Sequence, residues 1–424
     1  MIRHKPKPKG TIIAALDIGS TKIACFIGRV TDEQGGVSVI GIGHVASRGV
    51  KAGTVTDLLA AEESIRQAVH AAETMAVGEM KGYPLRDVVT GVPTMYTESH
   101  KTAIDIAMLG HEVGEGDIRR AIQRAQKQDQ REGRTLIHAI AAGYAIDGHR
   151  GIEEPRGMAG QRLRVDVNVV TAESPALVNI ARCVERTHLD IEALCVPPYA
   201  AGLSSLVADE MDLGCTVIDM GGGVTSFAVF REGAMIHAGA IPVGGAHVTN
   251  DVARGLNTRA QEAERIKILY GSALTSSTDD SELIDVPQLG EEEESQPNHI
   301  PRSYLVSIIQ PRLEEVFEMV RARLDDSGLS AAMGRRVVLT GGAAQTPGMR
   351  DLAGMILGKQ VRLGRPVRIK GLPDATSGPA FAATAGLLHY VCERADELPQ
   401  YSGRHDAAEG TLVARAQRWL RENW

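Results

Sequence analysis

Aromatic side chains are scarce in this 424-residue chain, 4% of the total, and its two tryptophans, Trp419 and Trp424, both fall within the last six positions. A core with so few rings must be filled by aliphatic side chains and alanine, while the largest apolar side chains sit at a terminus, where chains usually fray. Cysteine is sparse too. Cys25, Cys183, Cys195, Cys215 and Cys392 are scattered with no C-x-x-C pair, which argues against a zinc or disulfide framework and fits a reducing compartment. No apolar run approaches the roughly 18 residues of a membrane span. The basic start, MIRHKPKPKG, leads into an apolar run at Ile12 to Leu16 that Asp17 cuts off too early for a signal peptide, so the expectation is a cytoplasmic protein. A field for nucleic acid is also missing. The net charge is -7, but residues 272–300 hold eight acids and no Lys or Arg, which leaves the rest of the chain near +1.

What is present is an alternation of short apolar runs and glycine turns. Residues 11–46 read as three strands, Thr11 to Leu16, Ile23 to Val30 and Val37 to Ala46, followed by an amphipathic helix near Asp57 to Val77. The same order recurs at Cys215 to Met220, Thr225 to Phe230 and Ala234 to Ala240, with a helix over Gly245 to Gly255. Each first strand ends in Asp-x-Gly, at Asp17-Ile18-Gly19 and Asp219-Met220-Gly221. A single recurrence after so long an interval predicts two similar α/β halves rather than a solenoid. Between them, 94–171 reads as an insertion with a helix near Asp117 to Gln130 and strands around Thr135 to Ala139 and Arg162 to Val170. The acidic 272–300 stretch reads as a solvated loop.

Three turns suit phosphate: Asp17-Ile18-Gly19-Ser20-Thr21-Lys22, Asp219-Met220-Gly221-Gly222-Gly223-Val224-Thr225, and Leu339-Thr340-Gly341-Gly342-Ala343-Ala344. Glycine lets backbone N–H groups approach phosphate oxygens, and successive N–H groups form an anion nest. Lys22 adds a point charge, and two facing aspartates can hold a hydrated magnesium through its waters. Each turn alone is an ordinary hairpin; their order on matching units is what carries the reading. Two rival motifs fail. Gly354 to Gln360 is a residue short of a P-loop and lacks the hydroxyl after Lys359, and Gly41-Ile42-Gly43 lies inside a hairpin strand and not between strand and helix.

With these turns the chain resembles the actin-like ATPase superfamily and, within it, the FtsA family. Further motifs carry the narrower likeness: Val165 to Ala172 after Gly157 to Gly160, Ala263 to Lys267 with Tyr270 to Leu274, Val338 to Gln345, and Ala385 to Tyr390. The resemblance implies a two-lobed α/β actin-like fold with ATP and Mg2+ in the cleft. Asp17 and Asp219 would face the metal through water. Gly19, Ser20, Thr21 and Lys22 would meet the phosphates from one lobe, and Gly221, Gly222, Gly223 and Thr225 from the other. Gly341, Gly342 and Ala343 would back the adenosine, with Glu264 and Lys267 reaching the nucleoside unless they are a solvated ion pair.

It also implies boundaries. Residues 11–93 and 172–211 would form subdomain 1A, 94–171 an inserted subdomain 1C, 212–246 and 333–376 subdomain 2A, and 247–332 subdomain 2B with the acidic loop 272–300. A closing helix of 1A (377–392), a linker (393–409) and a membrane-targeting helix (410–424) would follow. Two departures bear on chemistry. Val224 stands where the second turn usually has a hydroxyl, with Thr225 next. The connecting segment Val196 to Gly202 offers no side chain to orient an attacking water, so ATP is expected to bind well and turn over slowly.

At 100° per residue, Leu412, Val413, Ala416, Trp419, Leu420 and Trp424 fall within about 140° of one helix face, with Arg415, Arg418 and Arg421 on the rest. That suits an in-plane anchor on an anionic membrane; docking on its own domain is the alternative. The family's role would be to polymerise on the inner face of the cytoplasmic membrane at the division site, tether the FtsZ ring and recruit later division proteins. Arg302 and Arg312 are candidates to receive the FtsZ tail. A small-molecule kinase or another ATPase of the same fold is the rival reading.

Overall fold

Ile12 to Ile18 (β1) is apolar along almost its whole length, as a strand covered on both faces must be, and Gly19 turns it back into β2 (Lys22–Val30). The turn is closed by the Gly19 N–H donating to the Lys22 carbonyl at 3.0 Å. β3 (Val37–Ala46) extends the sheet, and a short hairpin of β4 (Val50–Lys51) and β5 (Thr54–Val55) leads into α1 (Leu58–Ala76). The Asp57 carboxylate caps α1, accepting from the Leu59 and Ala60 N–H groups at 3.0 and 3.1 Å. Gly41 and Gly43 let α1 lie directly on β3, since a Cβ at Gly43 would sit 1.9 Å from the Ala68 carbonyl oxygen. Their spacing is therefore a packing feature. This computed structural model describes residues 7–287, 298–329, 334–394 and 397.

β6 (Asp87–Gly91) and β11 (Asp190–Cys195) complete the first sheet, in the order β11-β6-β1-β2-β3. The second lobe repeats it with β12 (Cys215–Met220), β13 (Thr225–Arg231), β14 (Ala234–Ile241), β17 (Arg336–Thr340) and β18 (Gln360–Leu363), in the order β14-β13-β12-β17-β18. In each sheet the hairpins pair antiparallel and the two further strands pair parallel. The duplication expected from Asp-x-Gly is present strand for strand.

Between β6 and α3 (Ser174–Glu185) stands a separate sheet, β7-β10-β8-β9, built from β7 (Thr97–Ala107), β8 (Arg134–Ile146), β9 (His149–Ile152) and β10 (Arg162–Glu173) and covered by α2 (Glu115–Gln128). Its β7 escaped the sequence reading because its outward positions are polar and only Ile104 and Ile106 are buried. α4 (Pro197–Ser205) and α10 (Ala382–Glu393) lie between the lobes, and α5 (Ala208–Leu213) packs on β13 of the second lobe. His138 of β8 ties the inserted sheet to this layer. It is fully buried, accepts from the Val196 N–H at Nε2 (3.1 Å) and lies 3.2 Å from the Tyr390 hydroxyl at Nδ1. Burial pushes its pKa down to about 3, so the ring is held neutral.

The outer part of the second lobe holds α6 (Gly245–Gly255), α7 (Ala260–Tyr270) and α8 (Arg302–Asp326). Here the described parts of the acidic stretch, 272–287 and 298–300, depart from the expectation of a solvated loop, and Glu291 to Glu294 lie outside the described residues. β15 (Leu283–Val286) pairs with β16 (Asn298–Pro301), and the Asp279 carboxylate is buried against the Arg302 guanidinium at 2.6 Å. Ile284, Val286 and Ile300 supply the apolar face that composition alone had hidden. α9 (Met349–Leu357) ends at Gly358 in the left-handed region, and the Lys359 ammonium donates to the Gly334 carbonyl; the P-loop-like run is a helix C-cap. Among the described residues no helix is long and apolar enough to cross a membrane. The sequence-predicted helix 410–424 lies outside the described residues.

Candidate functional site

The equivalent hairpins of the two lobes face each other tip to tip. A Cβ at Gly222 would lie 2.2 Å from the Thr21 side chain, and one at Gly223 would lie 2.8 Å from Ser20 Oγ and 2.8 Å from Ala52 Cα. Glycine is needed here because any side chain would fill the space between the turns. The second turn closes like the first, with the Gly221 N–H donating to the Val224 carbonyl at 3.0 Å. Gly341, at φ 87°, forms the third wall; a Cβ there would strike the Met220 carbonyl oxygen at 2.3 Å.

Asp17 and Asp219 occupy corresponding places near the ends of β1 and β12, and each is held by a threonine from a later segment. Thr384 Oγ1 donates to Asp17 Oδ2 at 3.0 Å, and Thr340 Oγ1 donates to Asp219 Oδ1 at 2.9 Å. Burial raises the Asp17 pKa above the usual carboxylate range, with the Lys22 charge and the Thr384 hydroxyl opposing. Asp219 is pushed up to about 6, first by burial and then by the negative charge of Asp17. Lys22 is correspondingly pulled down by burial, against the attraction of both aspartates. Its ammonium lies 3.5 Å from the centre of the Phe381 ring and donates to the Ala380 carbonyl.

Two raised carboxylates beside one lowered lysine leave a centre short of positive charge. That donor chemistry fits a divalent cation. Among the described residues no group of three His, Cys, Asp or Glu converges.

At the third turn, Lys267 Nζ donates to the Gly245 carbonyl at 3.2 Å, to Thr249 Oγ1 at 2.8 Å and to Glu264 at 2.6 Å. A Cβ on Gly245 would be 3.1 Å from that of Ala343, so Lys267, Glu264 and Ala343 gather at the start of α6. A Cβ on Gly342 would meet open space. Thr225 is buried on β13 between Met220 and Ile241, and its hydroxyl has no partner among the described residues. Arg302 is engaged internally by Asp279 and the Tyr270 carbonyl (2.8 Å), and Arg312 is likewise paired with Asp251 (2.5 Å) and Glu315, at a surface groove that Ile308 and Pro311 also line. The sequence reading placed Thr340 in the third turn without its bond to Asp219, and it missed Thr384, Phe381 and the β4–β5 tip at Ala52, which are far in sequence from the residues they meet.

The family model for Cell division protein FtsA matches residues 216–386, and the SHS2 domain inserted in FTSA matches 95–171. The chain is 42% identical to Cell division protein FtsA of Rhizobium meliloti (strain 1021), covering 100% of this chain and 97% of that protein. The chain belongs to the FtsA family of cell-division proteins. Identity to Cell division protein FtsA of Escherichia coli (strain K12) is 31%, over 97% of this chain and 98% of that one. Among solved structures, a chain of the PilM-PilN type IV pilus biogenesis complex aligns with a TM-score of 0.65 at 18% identity, covering 91% of this chain and 100% of that one. MreB5 of Spiroplasma citri bound to ADP aligns at 0.51 and 12% identity, covering 92% and 98%. This chain and these neighbours thus share the two-lobed actin-like fold, and in this chain the sheet that matches the SHS2 domain is an insertion.

Proposed function

We propose that this FtsA-family chain binds ATP with Mg2+ between its lobes and polymerises on the inner face of the cytoplasmic membrane. There it holds the FtsZ ring to the lipid surface through residues 410–424 and recruits later division proteins. The observation that carries the nucleotide part is the tip-to-tip meeting of the two glycine turns, Gly222 on Thr21 and Gly223 on Ser20, over a centre short of positive charge. ATP would bring phosphates to those N–H groups and to Lys22, with Mg2+ near Asp17 and Asp219. A bound Mg2+ supplies charge neutralisation for the phosphates; the chain itself supplies positioning and exclusion of water. Spiroplasma citri MreB5, which has the same fold, is bound to ADP, and that supports an adenine nucleotide as the ligand here.

Hydrolysis should be slow. α4, which starts at the connecting segment, reads PPYAAGLSS and is buried from Pro198 onward, so it offers neither a carboxylate nor an amide to orient water. Such a group contributes about 10²- to 10⁴-fold to a rate. Steady-state phosphate release is therefore expected far below that of a metabolic kinase, and kinase-like turnover would refute the adaptor reading.

For the tail, burial of each tryptophan contributes at most roughly 1.5 to 3 kcal/mol, and ordering a short helix offsets much of it. One tail then binds weakly and reversibly, while tails on one filament act together through effective concentration. Trp419→Glu, or removal of 410–424, should leave a soluble ATP-binding protein that no longer sediments with anionic vesicles. Unchanged sedimentation would sink the anchor. Repeating the assay with ATP, with and without an FtsZ tail peptide, tests the partner; Arg312 in its groove is the first position to vary.

A further inference from the structure

We infer that Asn168 and Ser99 latch the inserted sheet to the edge of the second lobe, so that the position of the insert follows the nucleotide held between the lobes; this rests on the nucleotide reading above. The insert is rooted in the first lobe. Its β7 follows β6, its β10 runs into α3, and its His138 accepts from the Val196 N–H. Two of its side chains nevertheless reach β14, which stands at the edge of the other lobe's sheet. Asn168 Nδ2 donates to the Met235 carbonyl at 3.1 Å, and the Ala238 N–H donates to Ser99 Oγ at 3.2 Å. Ser99 Oγ in turn donates to Asn168 Oδ1 at 2.9 Å. The donor roles are forced: a carbonyl only accepts, so the amide of Asn168 must turn its nitrogen to Met235 and its oxygen to Ser99. Both side chains together satisfy a carbonyl and an N–H of an edge strand.

Asn168 is fully buried, and a buried amide is costly unless its partners are in place. The network is complete only when the insert sits at one position on β14, so it sets a position and does more than add contact area. β14 carries that position to the phosphate turn. It pairs with β13, which starts at Thr225 directly after the turn. Just past its end at Ile241, the Gly245 N–H donates to the Gly221 carbonyl at 2.9 Å and the Ala246 N–H donates to the Gly222 carbonyl at 2.7 Å. A shift of Gly221 to Gly223 relative to the first lobe must therefore carry β14 with it. The latch is closed in the arrangement where Gly222 stands against Thr21 and Gly223 against Ser20. Phosphates held by both turns fix the separation of those turns. Latch and nucleotide then favour the same arrangement of the lobes, and such favouring is reciprocal.

The test combines calorimetric titration of ATP with Mg2+ and amide hydrogen exchange with and without ATP, on the full chain. In the wild type, ATP should slow exchange at residues 219–225, at the Ala238 N–H and along β7. Ser99→Ala removes the acceptor of the Ala238 N–H, and Asn168→Ala removes the bond to Met235. Each variant should bind ATP at least about fivefold more weakly, keep the slowing at 219–225 and lose it along β7. If Asn168→Ala yields no folded protein, Ser99→Ala decides alone, because His138 and the Thr135–Ser174 bond (2.9 Å) still hold the insert to the first lobe. Lys101→Gln, which removes an exposed cation of β7 paired with Asp166 at 3.2 Å, should behave as wild type. A lowered melting temperature with wild-type ATP affinity marks a merely structural contact and overturns the inference, as does slowing along β7 that persists in the variants. ATP binding that slows 219–225 but not β7 in the wild type removes the latch and leaves the nucleotide reading standing. Absence of ATP binding removes the nucleotide reading itself, and the inference with it.

Discussion

Gly386→Ala should leave little or no soluble protein. Gly386 lies inside α10, and a Cβ there would sit 1.7 Å from the Ala200 carbonyl oxygen and 2.2 Å from its carbonyl carbon, on α4. Both sides of this contact are helix backbone, so no side chain can swing away and the two helices must part. They are the layer between the lobes, where Tyr199 and Tyr390 are fully buried and Ser204 Oγ donates to the Ala382 carbonyl at 2.7 Å. Overpacking of a core costs typically about 1–3 kcal/mol when side chains can adjust; with backbone on both sides the loss should exceed that range. Soluble yield and thermal melting give the readout, and wild-type melting would mean that α4 and α10 do not approach this closely. Gly354→Ala is the control. It sits in α9 with its nearest neighbour at an ordinary 3.5 Å, so the change should be neutral or stabilising by up to about 1 kcal/mol.

Lys22→Met should weaken ATP binding roughly 100-fold, about 2.7 kcal/mol, with Mg2+ present. The substitution keeps roughly the length of the side chain and removes the charge that attracts both Asp17 and Asp219. Without it the two carboxylates lose a shared counter-charge, and a phosphate loses a charged donor in a cleft sheltered from water, an interaction worth about 1.5–3 kcal/mol. Calorimetric titration of ATP gives the answer, and a loss below about threefold would remove Lys22 from the phosphate site. Lys359→Met serves as comparison: its ammonium is spent on the Gly334 carbonyl at the end of α9, so ATP affinity should not change.

Much of the fold was legible because its signals are local. β1, β2 and β3 announce themselves by apolar runs between glycine turns, and their copies in the second lobe carry the same Asp-x-Gly. Where the signal was diluted the reading failed. β7 alternates polar residues with a few apolar ones, and β15 and β16 hide in the most acidic part of the chain, although Asp279 there is buried by Arg302.

The sequence by itself determined the duplicated lobes, the three glycine turns, the two aspartates with Lys22, and the amphipathic pattern of 410–424, because each is written in neighbouring residues as spacing or periodicity. Only the tertiary structure decided what those groups meet. Thr384 reaches Asp17 and Phe381 lies under Lys22 across more than three hundred residues of chain, and Ala52 closes on Gly223 from the opposite lobe. The reason is physical: the pKa shifts of Asp17, Asp219 and Lys22 arise from burial and mutual charge. Both come into being when the lobes pack together.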